Sequence, residues 1–244
     1  MVCIPIIGAS GKVGKEIVEL VSNSSDPCLT ATKFVSQNSD SLSSKSASGS
    51  TQYFPVSLEN LLKCDVVIDF STPAATMQLL DLLEGTSLPL VIGTTGFSAE
   101  QAGRLDAAGA QRPILTGANF TYGFETFLTA GHELVSGIAD AEVSIGEIYN
   151  KDKKPAPSGT TQRISRELAE IPTKDGKARH IALDIQRVGD TSGVNVVKLS
   201  LGFATIELKL TVHSREAYAA GAIAAAKWLI NQPNGTYAPT DMVS

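Results

Sequence analysis

The chain has 244 residues, 43% of them hydrophobic and 18% charged, with a formal net charge of −5. That length holds one large or two ordinary domains with ample core. The charge leaves no nucleic-acid footprint, and no apolar run approaches the roughly 20 residues needed to span a bilayer.

The opening, Met1-Val-Cys-Ile4, has no basic n-region and leads straight into a glycine turn, so it does not read as a signal peptide. Cys3–Ile7 reads as a short buried strand. Gly8-Ala-Ser-Gly-Lys-Val-Gly14 follows, and then Lys15–Val21 with helical apolar spacing. Pro5 sits inside this first strand, where proline cannot donate to a ladder, and an irregularity is expected there. Leu29–Val35 is a second extended run. The polar, serine-rich stretch 36–50 reads as a mobile loop. Cys64–Phe70, Leu88–Ile92 and Ile114–Thr116 read as further strands and Ala99–Ala110 as a helix, an alternation that argues for a parallel sheet covered on both faces.

From about residue 121 the pattern changes. Thr121–Ile138 and Thr160–Glu170 look helical, and Ala141–Glu147 looks extended. Ala182–Val188, Asn195–Ser200 and Thr205–Val212 follow as successive strands, which suggests an antiparallel or mixed sheet open on one side. An alanine-rich helix, Ala217–Leu229, closes the chain. Cys3, Cys28 and Cys64 are odd in number and lack metal-ligand spacing, so free thiols in a reducing cytosol are expected.

Gly8, Gly11 and Gly14 form a spacing variant of the dinucleotide fingerprint between an apolar strand and an amphipathic helix. The first glycine permits a tight turn, the second admits pyrophosphate to the backbone, and the third allows close helix–strand packing. Ser10, Lys12 and Val13 lie between the glycines, where the helix start offers N–H groups and a positive dipole end to phosphate. NAD sites usually end the second strand in an acid that binds the ribose hydroxyls. Leu29–Val35 has none. Lys33 there is either a partner for a 2′-phosphate or a solvated surface residue, and NADPH is favoured over NADH. Phe70 and Ser71 end one strand, and Gly93, Thr94 and Thr95 end another, where an open parallel sheet binds its ligand.

In the segment Glu147–Thr160, Lys153 offers a cation, and Ser158, Gly159 and Thr160 offer donors at a helix start to an anionic ligand. Ser158 also reads as the N-cap of that helix.

These motifs, with Ala118-Asn-Phe120, Arg187-Val-Gly-Asp-x-x-Gly193, Ser214-Arg215 and Gly221-Ala222, occur in an order that resembles the 4-hydroxy-tetrahydrodipicolinate reductase (dihydrodipicolinate reductase) family of bacterial lysine biosynthesis. The resemblance covers nearly the whole chain, and Ala-Pro-Ser-Gly-Thr is its most specific part. It implies an α/β fold: a Rossmann-type parallel sheet in residues 1–120 plus 215–244, and an inserted α+β substrate and oligomerisation domain with a mixed sheet in 121–214. It further implies a cytoplasmic homotetramer that reduces a small anionic cyclic imine with NAD(P)H. Carried over, Ala118, Asn119 and Phe120 join the coenzyme site, Lys153 pairs with substrate or helps donate a proton, and Ser158, Gly159 and Thr160 bind a carboxylate.

The chain departs from the family at its histidine pair, in whose place stand Tyr149 and Asn150, and at the aspartate that Pro155 replaces. A phenol is a weaker acid than imidazole by several units. Three accounts stay open: Tyr149 donates the proton with help from Lys153; the substrate is an iminium that needs little acid; or the protein reduces another cyclic imino acid or serves as a non-catalytic NADPH-binding sensor or scaffold. Asn150 is then a candidate substrate ligand.

Overall fold

The computed structural model describes residues 2–24, 56–153, 156–189 and 191–243, and the backbone alone of 29–35 and 54–55. The serine-rich stretch 36–50, Cys28 and Pro155 lie outside the described residues, as does the side chain of Lys33. The chain divides into two units, Met1–Tyr122 with Arg215–Ser244, and Gly123–Ser214.

The first unit runs β1 (Val2–Ile7), α1 (Lys12–Ser22), β2 (Leu29–Val35), β3 (Phe54–Pro55), α2 (Leu58–Leu61), β4 (Val67–Asp69), α3 (Pro73–Leu82), β5 (Leu90–Ile92), α4 (Ala99–Ala108) and β6 (Pro113–Thr116). The second contributes α5 (Phe124–Gly137), β7 (Glu142–Tyr149), α6 (Gly159–Ala169), β8 (Ile181–Arg187), β9 (Gly193–Ser200) and β10 (Thr205–Val212). The chain then returns to the first unit as α7 (Glu216–Leu229), β11 (Gly235–Tyr237) and a 3₁₀ turn at Pro239–Met242.

The first sheet has the order β11-β6-β5-β4-β1-β2-β3, and its pairings are parallel. Strands β1, β4, β5 and β6 are largely buried on both faces, and their alternate residues separate into two cores. Ile4, Ile6, Ile68, Val91 and Leu115 pack with α1 and the alanine face of α7. Ile7, Val67, Leu90, Ile92 and Ile114 pack with Leu79, Leu80 and Leu83 around α3 and with Leu105 of α4. Each large aliphatic side chain buried this way stabilises the unit by about 1.5–3 kcal/mol before entropy is counted.

Pro5 has the effect that proline chemistry requires. The carbonyls of Cys3 and Ile7 accept from Asp65 and Phe70 on the β4 side, so strand alternation points the missing Pro5 N–H the same way. β1 accordingly pairs with β2 over six residues but with β4 only at Ile6 and Ile7. The free-thiol expectation is corrected. Cys3 and Cys64 are disulfide-bonded, with Cα atoms 4.6 Å apart and a sequence separation of 61. The chain leads from Cys64 into β4, the neighbour of β1, and that adjacency brings the two sulfurs together.

The second unit has a mixed sheet, β10-β9-β7-β8, antiparallel at β10–β9 and β9–β7 and parallel at β7–β8. One face buries Val143, Ile145, Val197 and Leu199 against Phe124, Phe127 and Leu128 of α5 and Ile164 and Leu168 of α6. The other face presents Ser144, Gly146, Ile148, Lys198, Glu207 and Lys209, all half-buried or exposed. A two-pronged ion pair from Arg163 to Glu125, both contacts 2.7 Å, ties α6 to α5. No helix among the described residues is long and apolar enough to cross a membrane.

Candidate active site

In the first unit, β1 lies where the strand order reverses, with β2 on one side and β4 on the other. The loops after β1 and β4 therefore flank the crevice where such sheets bind ligands. Gly8 closes the turn at φ +79°, and Gly11 N–H donates to its carbonyl at 2.8 Å. A Cβ at Gly8 would strike the Phe70 carbonyl, and one at Gly14 would lie 2.8 Å from the Cα of Ala9. Ser57, Thr72 and Ser98 cap α2, α3 and α4 with their side chains, whereas α1 begins at Gly11 with no side-chain cap. Its first-turn N–H groups, at Lys12, Val13 and Gly14, have no intrahelical acceptor. Ser10 and Lys12 are exposed beside them. This bare helix start suits a dinucleotide pyrophosphate.

The neighbouring loops are organised by a carboxylate that sequence reading did not single out. Asp69, 1% exposed, accepts from the Ser71 N–H at 3.0 Å, the Ser71 hydroxyl at 2.5 Å and the Thr76 hydroxyl at 2.6 Å. Thr94 Oγ1 accepts the same Ser71 N–H at 2.9 Å. Burial pushes the Asp69 carboxyl up, and these hydrogen bonds offset that only in part. The hydroxyls of Ser71 and Thr94 thus face inward, while Thr95 is exposed. The Phe70 ring lies where a Gly93 Cβ would be and meets Phe120 edge-on at 5.5 Å between centroids. Phe120 is buried core, Asn119 Oδ1 accepts the Thr121 N–H at 2.8 Å, and Ala118 is exposed.

The second unit builds its site at the end of β7. Strand alternation turns Val143, Ile145, Glu147 and Tyr149 to the buried face. Glu147 is fully buried and accepts from Thr161 Oγ1, from Ser158 N–H at 3.0 Å, from Ser158 Oγ at 2.5 Å and from Arg187 Nη2 at 2.6 Å. Burial alone would raise its carboxyl, but the bonds from Ser158, Thr161 and Arg187 outweigh it and the net shift is downward. Asn195 Nδ2 donates to Thr161 Oγ1 at 3.0 Å, and the Tyr149 hydroxyl donates to Asn195 Oδ1 at 3.1 Å.

Above this interior network lies the lysine loop. Lys153 is exposed; its N–H donates to the Asn150 carbonyl at 3.1 Å, and its own carbonyl accepts from Arg187 Nε at 3.1 Å. Asn150 Oδ1 is engaged locally, accepting the Asp152 N–H at 3.0 Å. Ser158 is the N-cap of α6 and is 1% exposed, whereas Gly159 is exposed and Thr160 half-buried. The candidate residues therefore divide: Lys153 and Gly159 are exposed and Thr160 is half-buried, whereas Ser158 and Tyr149 are joined to the buried carboxylate network. Thr161, Arg187 and Asn195 complete that network; only Arg187 carried a sequence signal, through the Arg187–Gly193 motif. The chain's histidines are elsewhere: His132 on α5, His180 just before β8 and His213 just after β10.

Two family models match the chain in succession. The family model described as dihydrodipicolinate reductase, N-terminus, matches residues 2–120, and that described as dihydrodipicolinate reductase, C-terminus, matches residues 123–243. The 4-hydroxy-tetrahydrodipicolinate reductase of Wolinella succinogenes is 33% identical over 254 residues, covering 98% of this chain and 97% of its own. That of Sulfurimonas denitrificans is 32% identical, covering 99% and 98%. Among solved structures, the dipicolinate-bound dihydrodipicolinate reductase of Paenisporosarcina sp. TG-14 has the same fold, with a TM-score of 0.76, 20% identity, and coverage of 98% of this chain and 97% of that one. With both halves of the model matched end to end and full-length relatives above 30% identity, the chain belongs to the dihydrodipicolinate reductase family.

Proposed function

We propose that this chain reduces 4-hydroxy-tetrahydrodipicolinate, a cyclic imine-type dicarboxylate, in lysine and diaminopimelate biosynthesis. The observation that carries the reading is the division at the start of α6. Ser158 and Thr161 turn inward to Glu147, while exposed Gly159 at the positive end of α6 and exposed Lys153 stand on the solvent side, an arrangement that favours an external carboxylate. Bound NAD(P)H supplies the hydride. Gly8, Gly11 and Gly14 and the bare start of α1 hold its pyrophosphate, with Ser10, Lys12 and Val13 alongside; Thr95 and Ala118 line the coenzyme's approach. Ser71, Thr94, Gly93, Phe70, Asn119 and Phe120 shape those loops from behind.

Lys153 pairs with a substrate carboxylate or helps donate the proton that accompanies the hydride. Asn150 orders its loop. The coenzyme reading leans to NADPH, because β2 ends without an acid and carries Lys33. We expect a cytoplasmic homotetramer assembled through the open faces of the mixed sheets. The test is consumption of NADPH with enzymatically generated 4-hydroxy-tetrahydrodipicolinate, with NADH compared by kcat/KM. Substrate-dependent oxidation is the expected result. Nucleotide binding with no such oxidation overturns the reading in favour of a sensor.

A further inference from the structure

We infer that Tyr149 is the seat that positions Lys153, locked in place by Asn195, and is not the proton donor of the reaction. The inference rests on the functional reading above and refines its site.

The hydrogen bonds behind Tyr149 all run one way. Its hydroxyl donates to Asn195 Oδ1, the Asn195 amide donates to Thr161 Oγ1, and the Thr161 hydroxyl donates to Glu147. Each proton points along the chain toward the buried carboxylate. Tyr149 is 5% exposed and Asn195 4%. A phenol that protonated a substrate would first have to leave the Asn195 carbonyl without its donor in a site closed to water, which disfavours the move.

The ring is used where the hydroxyl is not. Lys153 Nζ lies 5.4 Å from the ring centroid and Arg187 Cζ 5.9 Å, within the range in which an aromatic ring attracts a cation. Arg187 also holds the Lys153 carbonyl through Nε, so the lysine is fixed at its backbone and at its ammonium by neighbouring groups. On β9, a Cβ at Gly193 would come within 2.6 Å of Tyr149 Cε1, so the glycine of the Arg187–Gly193 motif makes room for this ring. Tyr149 thus acts on the reaction through Lys153, as a positioning residue.

Tyr149→Phe and Tyr149→Leu separate the two roles. Both are assayed for kcat and KM in the NADPH reaction and for binding of dipicolinate by calorimetry. A seat predicts that Y149F, which keeps the ring, loses about two- to fivefold in kcat/KM. Y149L should lose about fivefold to thirtyfold, mainly through KM, with matching weakening of dipicolinate. A donor predicts instead a loss of about a hundredfold or more in the kcat of Y149F with dipicolinate binding intact, and that result overturns the inference. Y149L binding dipicolinate as tightly as the wild type also overturns it. Should Y149L not fold, Y149F decides alone. A wild type that neither binds dipicolinate nor consumes NADPH removes the functional reading itself, an outcome distinct from an active wild type with a dead Y149F.

Discussion

Glu147→Gln tests whether the buried carboxylate holds the second unit together. The glutamate accepts the Ser158 N–H on both oxygens, the hydroxyls of Ser158 and Thr161, and Arg187 Nη2, and its side chain is fully buried. Glutamine keeps the shape but turns one acceptor oxygen into an NH₂ group. The Arg187 contact loses its charge assistance, about 1.5–3 kcal/mol. The hydroxyls of Ser158 and Thr161 can rotate away from the new NH₂, but a backbone N–H cannot, so Ser158 N–H is left half-satisfied at about 1–3 kcal/mol. Arg187 retains 19% exposure and recovers part of its loss from water, which places the sum near 3–4 kcal/mol, at the low end for a broken buried pair. For a chain of this size that is roughly 6–15 °C in Tm. The deficit should also depend on pH. The Glu147 carboxyl is held below its ordinary value of 4.5, so its stabilisation is complete above that pH and disappears as pH falls through the folded-state value. Urea unfolding of both proteins at neutral and acid pH should therefore show a gap that narrows on acidification. A neutral-pH gap under about 0.5 kcal/mol, or one that stays constant with pH, would refute the account.

Three further outcomes follow from the geometry. Asp69 behaves in the opposite sense: burial raises its carboxyl above 3.8, so its contribution is present at low pH and lost as pH rises through the folded-state value. Asp69→Asn should gain stability relative to the wild type between acid and neutral pH, and a difference falling with pH would count against the assignment. Glu125→Ala leaves the Arg163 fork facing a buried gap between α5 and α6 and should cost about 2–4 kcal/mol by denaturant titration; a loss under 1 kcal/mol would mean Glu167 and solvent suffice. Gly14→Ala sets a methyl against the Gly8 carbonyl and Ala9, and NADPH affinity by fluorescence titration should weaken at least about tenfold. Unchanged affinity would show that this turn does not hold the coenzyme.

How much was legible follows the range of the interactions. The parallel α/β half announced itself through glycines between an apolar strand and an amphipathic helix, and the mixed sheet through its run of late strands. Both depend on spacing within a few residues. Even so, α3 escaped notice, although Thr72 before Pro73 is an ordinary start signal; Thr72 accepts the Ala75 N–H at 3.3 Å, and Pro73 takes the first helical position. β7 runs two residues past its expected end, and those two residues turn Tyr149 from a loop side chain into a buried one. Long-range partners were not readable. Cys3 meets Cys64 because β4 lies beside β1, and Tyr149 meets Asn195 because β7 pairs with β9. Neither adjacency leaves a periodic trace in the sequence.

The Ser-Gly-Thr-Thr segment holds one carboxylate of the protein, and on the proposed function it addresses a second from the substrate. Ser158 and Thr161 are three residues apart, so at the helix start they share a face, and both turn to Glu147. Gly159 and Thr160 fall between them and face the other way. The helical period thus gives the inner pair to a carboxylate of the protein, and the proposed function gives the helix start between them to a carboxylate of the substrate. The first interaction rigidifies the N-terminus, and a rigid N-terminus loses less entropy when an external anion binds. On this argument a change at Ser158 or Thr161 should weaken dipicolinate binding without either side chain touching the ligand, whereas a change at Thr160, which lies outside the Glu147 network, should cost less stability. Measuring both quantities for Thr161→Val and Thr160→Val separates the two faces, and equal stability losses in the two variants would contradict it.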